Sequence, residues 1–332
     1  MYDWNKTEIK EPSILELLNN QNLVFNSPCL VPSYELPEYI RTASYNGTDK
    51  FITSKGESYI ETKFSFHKYW DIDNRNYSDF GISELTYVLE DLTSKFGFNP
   101  FTSILQNIEY GVNITLPFPV SDLLDSIKLY KGKGYINDDY GGKGYMVKFK
   151  FDQYEIKIYD KGRQYRLNEN ILRFEIKVKK MHYLKSKKVA INCYTDLLNT
   201  ETINSLKESL LKAFEALVFY DYSIDVDSLN IKMADKELLK NGNDLKYWKG
   251  LKDNPNGCYK RKLKKYNDLV AEHGKSRMKE IVINLMKSKL EIITKIDQKT
   301  ELNIKNYLSK FEQNQLPPIN NYYPKLKKSV PK

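Results

Sequence analysis

The sequence predicts an α+β fold: an antiparallel sheet with flanking helices, followed by a smaller all-α basic domain. Three observations predict it. Alternating apolar and polar residues, typical of strands, recur between residues 102 and 178. Apolar residues at helical spacing predict amphipathic helices over 82–97 and 203–222. From about residue 226 onward, the pattern becomes one of short, lysine-rich helices.

The bulk composition is that of a soluble globular protein. The chain has 332 residues, which is enough for two domains and a sizeable core. No stretch approaches the roughly 18 unbroken apolar residues of a membrane helix. The first residues, MYDWNKTEIKEP, lack the layout of a signal peptide. We therefore expect a cytoplasmic protein with no membrane partner.

The cysteines and histidines predict no metal site of their own. The 3 cysteines and 3 histidines are scattered, without a CxxC pair or a His-x-His pair. A metal ion would therefore be held by carboxylates, which favours magnesium, manganese or calcium.

Positive charge is concentrated in the last third of the chain. Residues 231–332 contain 24 Lys and Arg against 11 Asp and Glu, whereas residues 1–230 contain 28 against 32. This asymmetry favours a polyanion-binding module attached to a nearly neutral domain. The alternative is a solvated, lysine-rich helical region.

Changes in composition and hydrophobic periodicity along the chain predict four parts. The expected divisions are an irregular N-terminal extension (1–60), an α+β catalytic-type domain (61–225), a basic helical DNA-binding domain (226–310) and a disordered tail (311–332). The first part has weak periodicity, and the tail is rich in Pro, Asn and Lys.

Three predicted strands, 107–115, 154–161 and 171–178, have one apolar and one polar side. A tight hairpin about Asp152 and Gln153 would place Lys148 opposite Lys157. If the strands share a sheet, their polar sides form one surface, made of Glu109, Asn113, Lys157, Tyr159, Lys161, Arg173 and Glu175. The alternative is a solvated sheet face, which commonly carries alternating Lys and Glu.

Such a surface has the side chains that phosphodiester chemistry uses. Glu109, Glu175 and Asn113 are candidate ligands of one divalent cation, Mg²⁺ or Mn²⁺. The cationic side chains opposite them suit phosphate groups. A tyrosine hydroxyl is a candidate nucleophile that would form a covalent phosphotyrosine link.

The motif IKIYDKGRQ followed by LRFEIKVKK resembles the RxYxK … R-x-E signature of rolling-circle replication initiators. Such initiators occur in plasmids of the trans-acting Rep type and in filamentous phages. Lys157 stands at the first arginine of the signature, and NIEYGVNI resembles the preceding strand. The resemblance covers roughly residues 102–185. The absence of a His-hydrophobic-His motif matches the carboxylate-based subgroup.

The resemblance implies a nicking–joining enzyme with a sheet like that of an RNA-recognition motif. Such an enzyme cuts one strand of origin DNA through a tyrosine and uses a divalent metal. Carried over by position, Glu109 and Glu175 would be metal ligands, and Lys161 and Arg173 would handle phosphate. The expected partner is DNA, single-stranded or as an origin hairpin. Whether the protein forms a homodimer stays open.

The nucleophile is predicted to be Tyr159, because it lies on the polar side of its strand. Tyr183, Tyr220 and Tyr222 are its rivals. Further DNA contacts are expected from Lys148 and Lys157 on the sheet, and from the exposed side of a helix that begins at 258, namely Lys260, Arg261, Lys264 and Lys265.

Two other functions stay open at this point. One is a non-enzymatic DNA-binding accessory protein of replication or mobilisation, in which the sheet is scaffold. The other is an RNA-binding or RNA-cleaving protein built on a related sheet.

Overall fold

The computed structural model describes residues 1–31, 38–56, 58–138, 145–254 and 258–312. The strands of these residues are β1 (Tyr2–Ile9), β2 (Val24–Phe25), β3 (Cys29–Val31), β4 (Glu38–Tyr45), β5 (Thr48–Lys55), β6 (Tyr59–Ser65), β7 (Ile104–Thr115), β8 (Ile127–Tyr130), β9 (Lys133–Gly134), β10 (Ile136–Asp138), β11 (Met146–Lys150), β12 (Tyr154–Asp160), β13 (Ile171–Val178) and β14 (Leu217–Phe219).

The helices of the described residues are α1 (Ile14–Leu18), α2 (Phe66–Trp70), α3 (Ile82–Phe96), α4 (Val120–Ser126), α5 (Lys161–Gln164), α6 (His182–Ser186), α7 (Thr200–Glu215), α8 (Met233–Asn241), α9 (Leu245–Asp253), α10 (Tyr259–His273), α11 (Met278–Ile293) and α12 (Gln298–Glu312).

One large antiparallel sheet organises the described chain. Ten of its strands follow the order β10-β11-β12-β13-β7-β1-β6-β5-β4-β2, and β3 adds to β4. A second, small sheet has the order β14-β8-β9. The predicted α+β class, with an antiparallel sheet and a helical C-terminal region, is confirmed. The likeness to an RNA-recognition motif stays a prediction.

The three strands with polar sides are neighbours, as the sequence predicts. β12 pairs with β13, and β13 pairs with β7. Their apolar sides face the helices, where Phe174 packs edge-on against Phe214 of α7 at 5.2 Å between ring centroids. The other side differs from a solvated face, because the β13 residues on it, Arg173 and Glu175, are also buried.

Both predicted helices are present, but their predicted bounds agree with the structure to different degrees. α3 ends as expected, because Gly97 takes the left-handed conformation (φ 73°) at which glycine is least strained. The helix predicted over 203–222 instead spans Thr200–Glu215, and Asn199 caps its first turn. The chain after it forms β14, which pairs with β8.

The first 60 residues differ from the irregular extension that the sequence predicts. β1 lies inside the sheet, between β6 and β7. Its side chains Asp3, Asn5 and Thr7 are polar yet buried. Such a strand shows no apolar alternation, and so its pattern along the chain is weak.

The C-terminal helices do not form one separate unit. α8, α9 and α10 pack around Trp248 and Tyr266, in a cluster that also contains Leu129 and Val218. α11 and α12 instead contribute to the main core, through side chains such as Met286 and Tyr307. The predicted boundary at 225 and 226 stays a prediction, and most of the predicted tail (313–332) lies outside the described residues.

No helix in the described part of the chain is long and apolar enough to cross a membrane.

Candidate functional site

The strand register brings the predicted polar residues into two adjacent rows. In one row Tyr159, Arg173 and Asn113 lie side by side. In the other row Lys157 lies beside Glu175, with Lys148 on the outer strand opposite Lys157 as predicted. Because alternate residues share a face, both rows lie on the same side of the sheet.

Side chains from four strands join these rows into a chain of ion pairs. The Lys157 ammonium lies 3.0 Å from Glu109 and 3.0 Å from Glu175. The Arg173 guanidinium donates to Glu175 at 2.9 Å and to Asp3 at 3.2 Å. We call this cluster the charge network, and its members are Asp3, Glu109, Lys157, Lys161, Arg173, Glu175 and Lys177.

Most of the charge network is buried, although Lys157 and Lys177 are partly exposed, so removing one buried partner would leave an uncompensated charge. Only 4% of the Arg173 side chain and 3% of the Glu175 side chain are exposed. Burial alone would raise the pKa of Glu175, but Lys157 and Arg173 outweigh it and hold that pKa below its usual range. For Glu109, burial and the nearby charge of Glu175 outweigh its lysine partners, and its pKa is raised.

Tyr159 and Lys161 form a pair beside Arg173. The Lys161 ammonium lies 3.3 Å from the Tyr159 hydroxyl, and both side chains are buried. Burial, together with the positive charge of Arg173, lowers the pKa of Lys161 to about 8, although Asp3 opposes this shift. Near neutral pH a fraction of Lys161 is therefore an uncharged amine, able to accept a proton.

The segment after α2 covers this end of the network. Asn76 donates to Asp3 at 2.8 Å and accepts from the Tyr165 hydroxyl at 2.7 Å. Asn113 donates to the carbonyl groups of Asn76 and Tyr77 at 3.1 Å each. The polar side of the sheet is therefore closed over by a hydrogen-bonded loop at this point.

The predicted metal ligands are brought together, but each is already engaged. Both Glu109 and Glu175 pair with Lys157, and the side-chain oxygen of Asn113 accepts from Arg173 at 3.2 Å. Among the residues that the structure describes, no group of three or more His, Cys, Asp or Glu is arranged to hold a metal ion. In this arrangement the donor set does not fit a divalent cation. The Mg²⁺ or Mn²⁺ ion stays a prediction.

The glycine in β7 has a structural reason. The sequence suggests that something approaches the backbone closely at Gly111. A Cβ there would lie 2.3 Å from the Phe174 carbonyl oxygen and 2.6 Å from the Glu175 Cβ. The close neighbour is therefore the adjacent strand β13.

Sequence reasoning missed Asp3, which supplies the third carboxylate. Asp3 forms an ion pair with Arg173 and accepts a hydrogen bond from Ser65. Burial would raise the pKa of Asp3, but Arg173 and Lys161 outweigh burial and lower it. No pattern around it marks it, because β1 is polar and yet buried. Only the pairing of β1 with β7 places it there.

The residues predicted to contact DNA from the helix starting at 258 lie on α10. Its buried side holds Tyr266 and Leu269, as expected. Its exposed side carries Lys260, Arg261, Lys264 and Lys265. Lys265 forms an ion pair with Asp235 of α8. These cations therefore lie on a helix that packs in the cluster around Trp248 and Tyr266, and not on the strands that carry the two polar rows.

The rival tyrosines lie in other surroundings. Tyr183 stacks on Tyr154, at 4.2 Å between ring centroids, and Tyr154 belongs to the apolar side of β12. Tyr222 accepts from the Lys128 ammonium at 2.9 Å and packs edge-on against Tyr220. Of the four candidates, Tyr159 is the one placed beside the charge network.

No protein-family model matches this sequence, and comparison with curated proteins finds no significant match. Among solved structures, the chain is similar to one described as the rolling circle replication initiator protein from Geobacillus stearothermophilus. The identity is 11%, the match covers 65% of this chain and 84% of that chain, and the TM-score is 0.35. A TM-score of this size establishes neither a common fold nor a common function.

Proposed function

We propose that this protein is a replication initiator that nicks and rejoins single-stranded DNA through Tyr159. The observation that carries the proposal is the placement of the Tyr159 hydroxyl 3.3 Å from Lys161, whose amine has a pKa of about 8, and beside Arg173. A nucleophile next to a base, with a cation close by, is the arrangement that covalent catalysis at phosphorus requires.

The reaction has two halves that use the same groups. Tyr159 attacks a backbone phosphorus, its proton passes to the neutral Lys161 amine, and a tyrosine–phosphate bond forms. The bond from phosphorus to one deoxyribose oxygen breaks, and the protonated Lys161 returns its proton to that leaving oxygen. In the second half, a deoxyribose hydroxyl attacks the phosphotyrosine and rejoins the strand.

Cationic side chains around Tyr159 would stabilise the charge that develops on the phosphate oxygens. Arg173 is held in place by Glu175, Asp3 and Asn113, so its orientation is set before substrate binds. Because only 6% of Tyr159 is exposed, DNA reaches the hydroxyl when the covering segments move aside.

The basic side of α10 supplies the second part of the proposal. Its exposed cations would hold DNA by phosphate contacts, which are independent of sequence and weaken as salt increases. We therefore assign sequence-independent DNA binding to α10, because its cations are exposed and those of the charge network are paired with carboxylates.

The test is covalent capture. Single-stranded DNA containing the replication origin is incubated with the protein, and the products are denatured and separated by mass. We expect a protein–DNA adduct linked through Tyr159 and identified by peptide mass spectrometry. The proposal fails if no adduct forms in chelator, Mg²⁺ or Mn²⁺.

A second candidate is a non-enzymatic DNA-binding accessory protein. One observation favours it: each carboxylate of the charge network already has a cationic partner, as in a purely structural network. It predicts salt-dependent DNA binding that Glu109→Ala and Glu175→Ala leave unchanged in folded protein. Loss of strand cleavage in the same variants would exclude it.

A further inference from the structure

The ammonium group of Lys157 lies where a metal ion would be expected. Its nitrogen is 3.0 Å from a carboxylate oxygen of Glu109 and 3.0 Å from one of Glu175. These are the two side chains that the sequence predicts as ligands of one divalent cation. Lys157 therefore bridges both carboxylates as a single cation between two strands.

The second oxygen of each of these carboxylates also has a cationic partner. The second oxygen of Glu109 pairs with Lys177 at 2.8 Å, and the second oxygen of Glu175 accepts from Arg173 at 2.9 Å. All four carboxylate oxygens thus face a cationic nitrogen. A metal ion bound to either glutamate would have to displace a positively charged side chain: Arg173 and Lys157 are largely buried, and Lys177 is partly exposed.

The charge balance of the network favours an anion over a further cation. It contains three carboxylates and four cationic side chains: Asp3, Glu109, Glu175, Lys157, Lys161, Arg173 and Lys177. With all of them ionised, the network carries one excess positive charge, and this falls to zero in the fraction of molecules whose Lys161 is the neutral amine. A divalent cation would increase that excess inside a buried site, whereas a singly charged phosphodiester would neutralise it.

We propose that Lys157 is a built-in cation that takes the place of a divalent metal, so that the site accepts a phosphodiester without metal. This inference rests on the proposed nicking and joining function for its substrate. It assigns Glu109 and Glu175 a different role from that of ligands: they position Lys157 and Arg173. Glu109 and Glu175 are the positioning residues, and Lys157 supplies the fixed positive charge.

The inference is tested first by direct metal binding, which needs no DNA. Mn²⁺ is titrated into the full chain and followed by its electron paramagnetic resonance signal, with thermal unfolding as a second readout. We expect no bound Mn²⁺ and no Mn²⁺-dependent shift in melting temperature for the wild type. Stoichiometric Mn²⁺ binding that Glu175→Gln abolishes would overturn the inference.

The decisive variant is Lys157→Ala, which leaves the two carboxylates together with space between them. We expect this variant to gain one bound Mn²⁺ per chain and to be stabilised by it. A folded Lys157→Ala protein that binds no Mn²⁺ would show that the pair is no cation site, which also overturns the inference. Lys157→Ser leaves nearly the same space without the charge and replaces Lys157→Ala if that variant does not fold.

The matched control is Lys63→Ala. Lys63 pairs with Glu61, a carboxylate on β6 outside the charge network. We expect Lys63→Ala, like the wild type, to bind no Mn²⁺ and to show no Mn²⁺-dependent shift in melting temperature. Gain of a Mn²⁺ site in this control would mean that any lysine removed from the sheet creates one, which contradicts a specific place for Lys157.

Adduct formation then separates this inference from the proposed function. We expect the wild-type rate in chelator to agree with the rate in Mg²⁺ within about twofold, since no step requires the ion. An adduct that forms only with Mg²⁺ or Mn²⁺ overturns the inference and supports the proposed function. No adduct under any condition refutes the proposed function, and the Mn²⁺ titration still decides the role of Lys157.

Discussion

The charge network and the basic side of α10 contain the same kinds of side chain in opposite environments. In the network, Arg173 is buried and Lys157 is mostly buried, and both are paired with carboxylates of the sheet. On α10, Lys260 and Lys264 extend into water. Water and salt screen the charges on α10, so each of them adds little to the free energy of binding a polyanion, and that binding weakens as salt increases. The stability of a buried charge depends instead on one particular partner.

This difference teaches that positive charge in the sequence does not identify one role. Removing a cation from the network should affect folding and chemistry, because it leaves a buried carboxylate unpaired. Removing one from α10 should affect only association with a polyanion. Substitutions in the two regions should therefore differ both in the property they change and in the size of the change.

The largest effect is expected from Tyr159→Phe. Loss of the attacking hydroxyl should reduce adduct formation by at least about 10⁴-fold, a loss typical of removing a nucleophile. The rate is measured by single-turnover capture on single-stranded origin DNA. Tyr183→Phe and Tyr222→Phe are the matched controls and should retain adduct formation. An active Tyr159→Phe protein would move the nucleophile to another tyrosine.

The next effect concerns stability. Glu175→Gln leaves Arg173 and Lys157 without a shared buried partner, which should lower the free energy of unfolding by about 3–5 kcal/mol. Urea denaturation followed by circular dichroism measures it. Glu208→Gln, which breaks an exposed pair with Lys212 on α7, should leave stability nearly unchanged. Equal effects of the two substitutions would contradict the contrast between buried and exposed charge.

A smaller effect is expected from pH. Since only the neutral amine of Lys161 accepts a proton, the adduct rate should rise as pH increases through about 8, the pKa of Lys161, and then level off. Charged or titratable groups near this amine include Asp3, His67, Lys68, Tyr159, Tyr165, Arg173 and Glu175.

Two variants decide whether Lys161 causes that pH profile. Lys161→Arg stays protonated, so it should remove the rise. Asp3→Asn removes a negative charge that raises the pKa of Lys161, so it should move the midpoint to lower pH. A profile that neither substitution alters would assign the pH dependence to another group.

The smallest effect is expected on α10. Lys260→Ala and Lys264→Ala should each weaken DNA binding modestly, and reduce the slope of log K against log salt by about 0.7 for single strands. Fluorescence anisotropy over a range of salt concentrations measures the slope. Lys212→Ala, an exposed lysine on α7, is the control. Slopes that do not change would remove α10 from the DNA-binding surface.

Patterns along the chain predicted much of the sheet and part of the site. Apolar alternation located β12 and β13, and the short hairpin set the register that places Lys148 opposite Lys157. The rows containing Tyr159, Arg173 and Asn113 follow from this alternation once the strands are neighbours. The roles assigned to these side chains stay predictions, because a shared face does not specify a reaction.

Local sequence specifies which residues share each face of a strand, because alternation in an extended chain is a local property. Tertiary structure alone decided that this polar face is buried and that its charges pair. Asp3 pairs with Arg173 across 170 residues of sequence, and Asn76 contacts Asp3 from a covering loop 73 residues away. Pairing between residues so far apart in sequence leaves no trace in local patterns, since burial depends on which strands and loops meet.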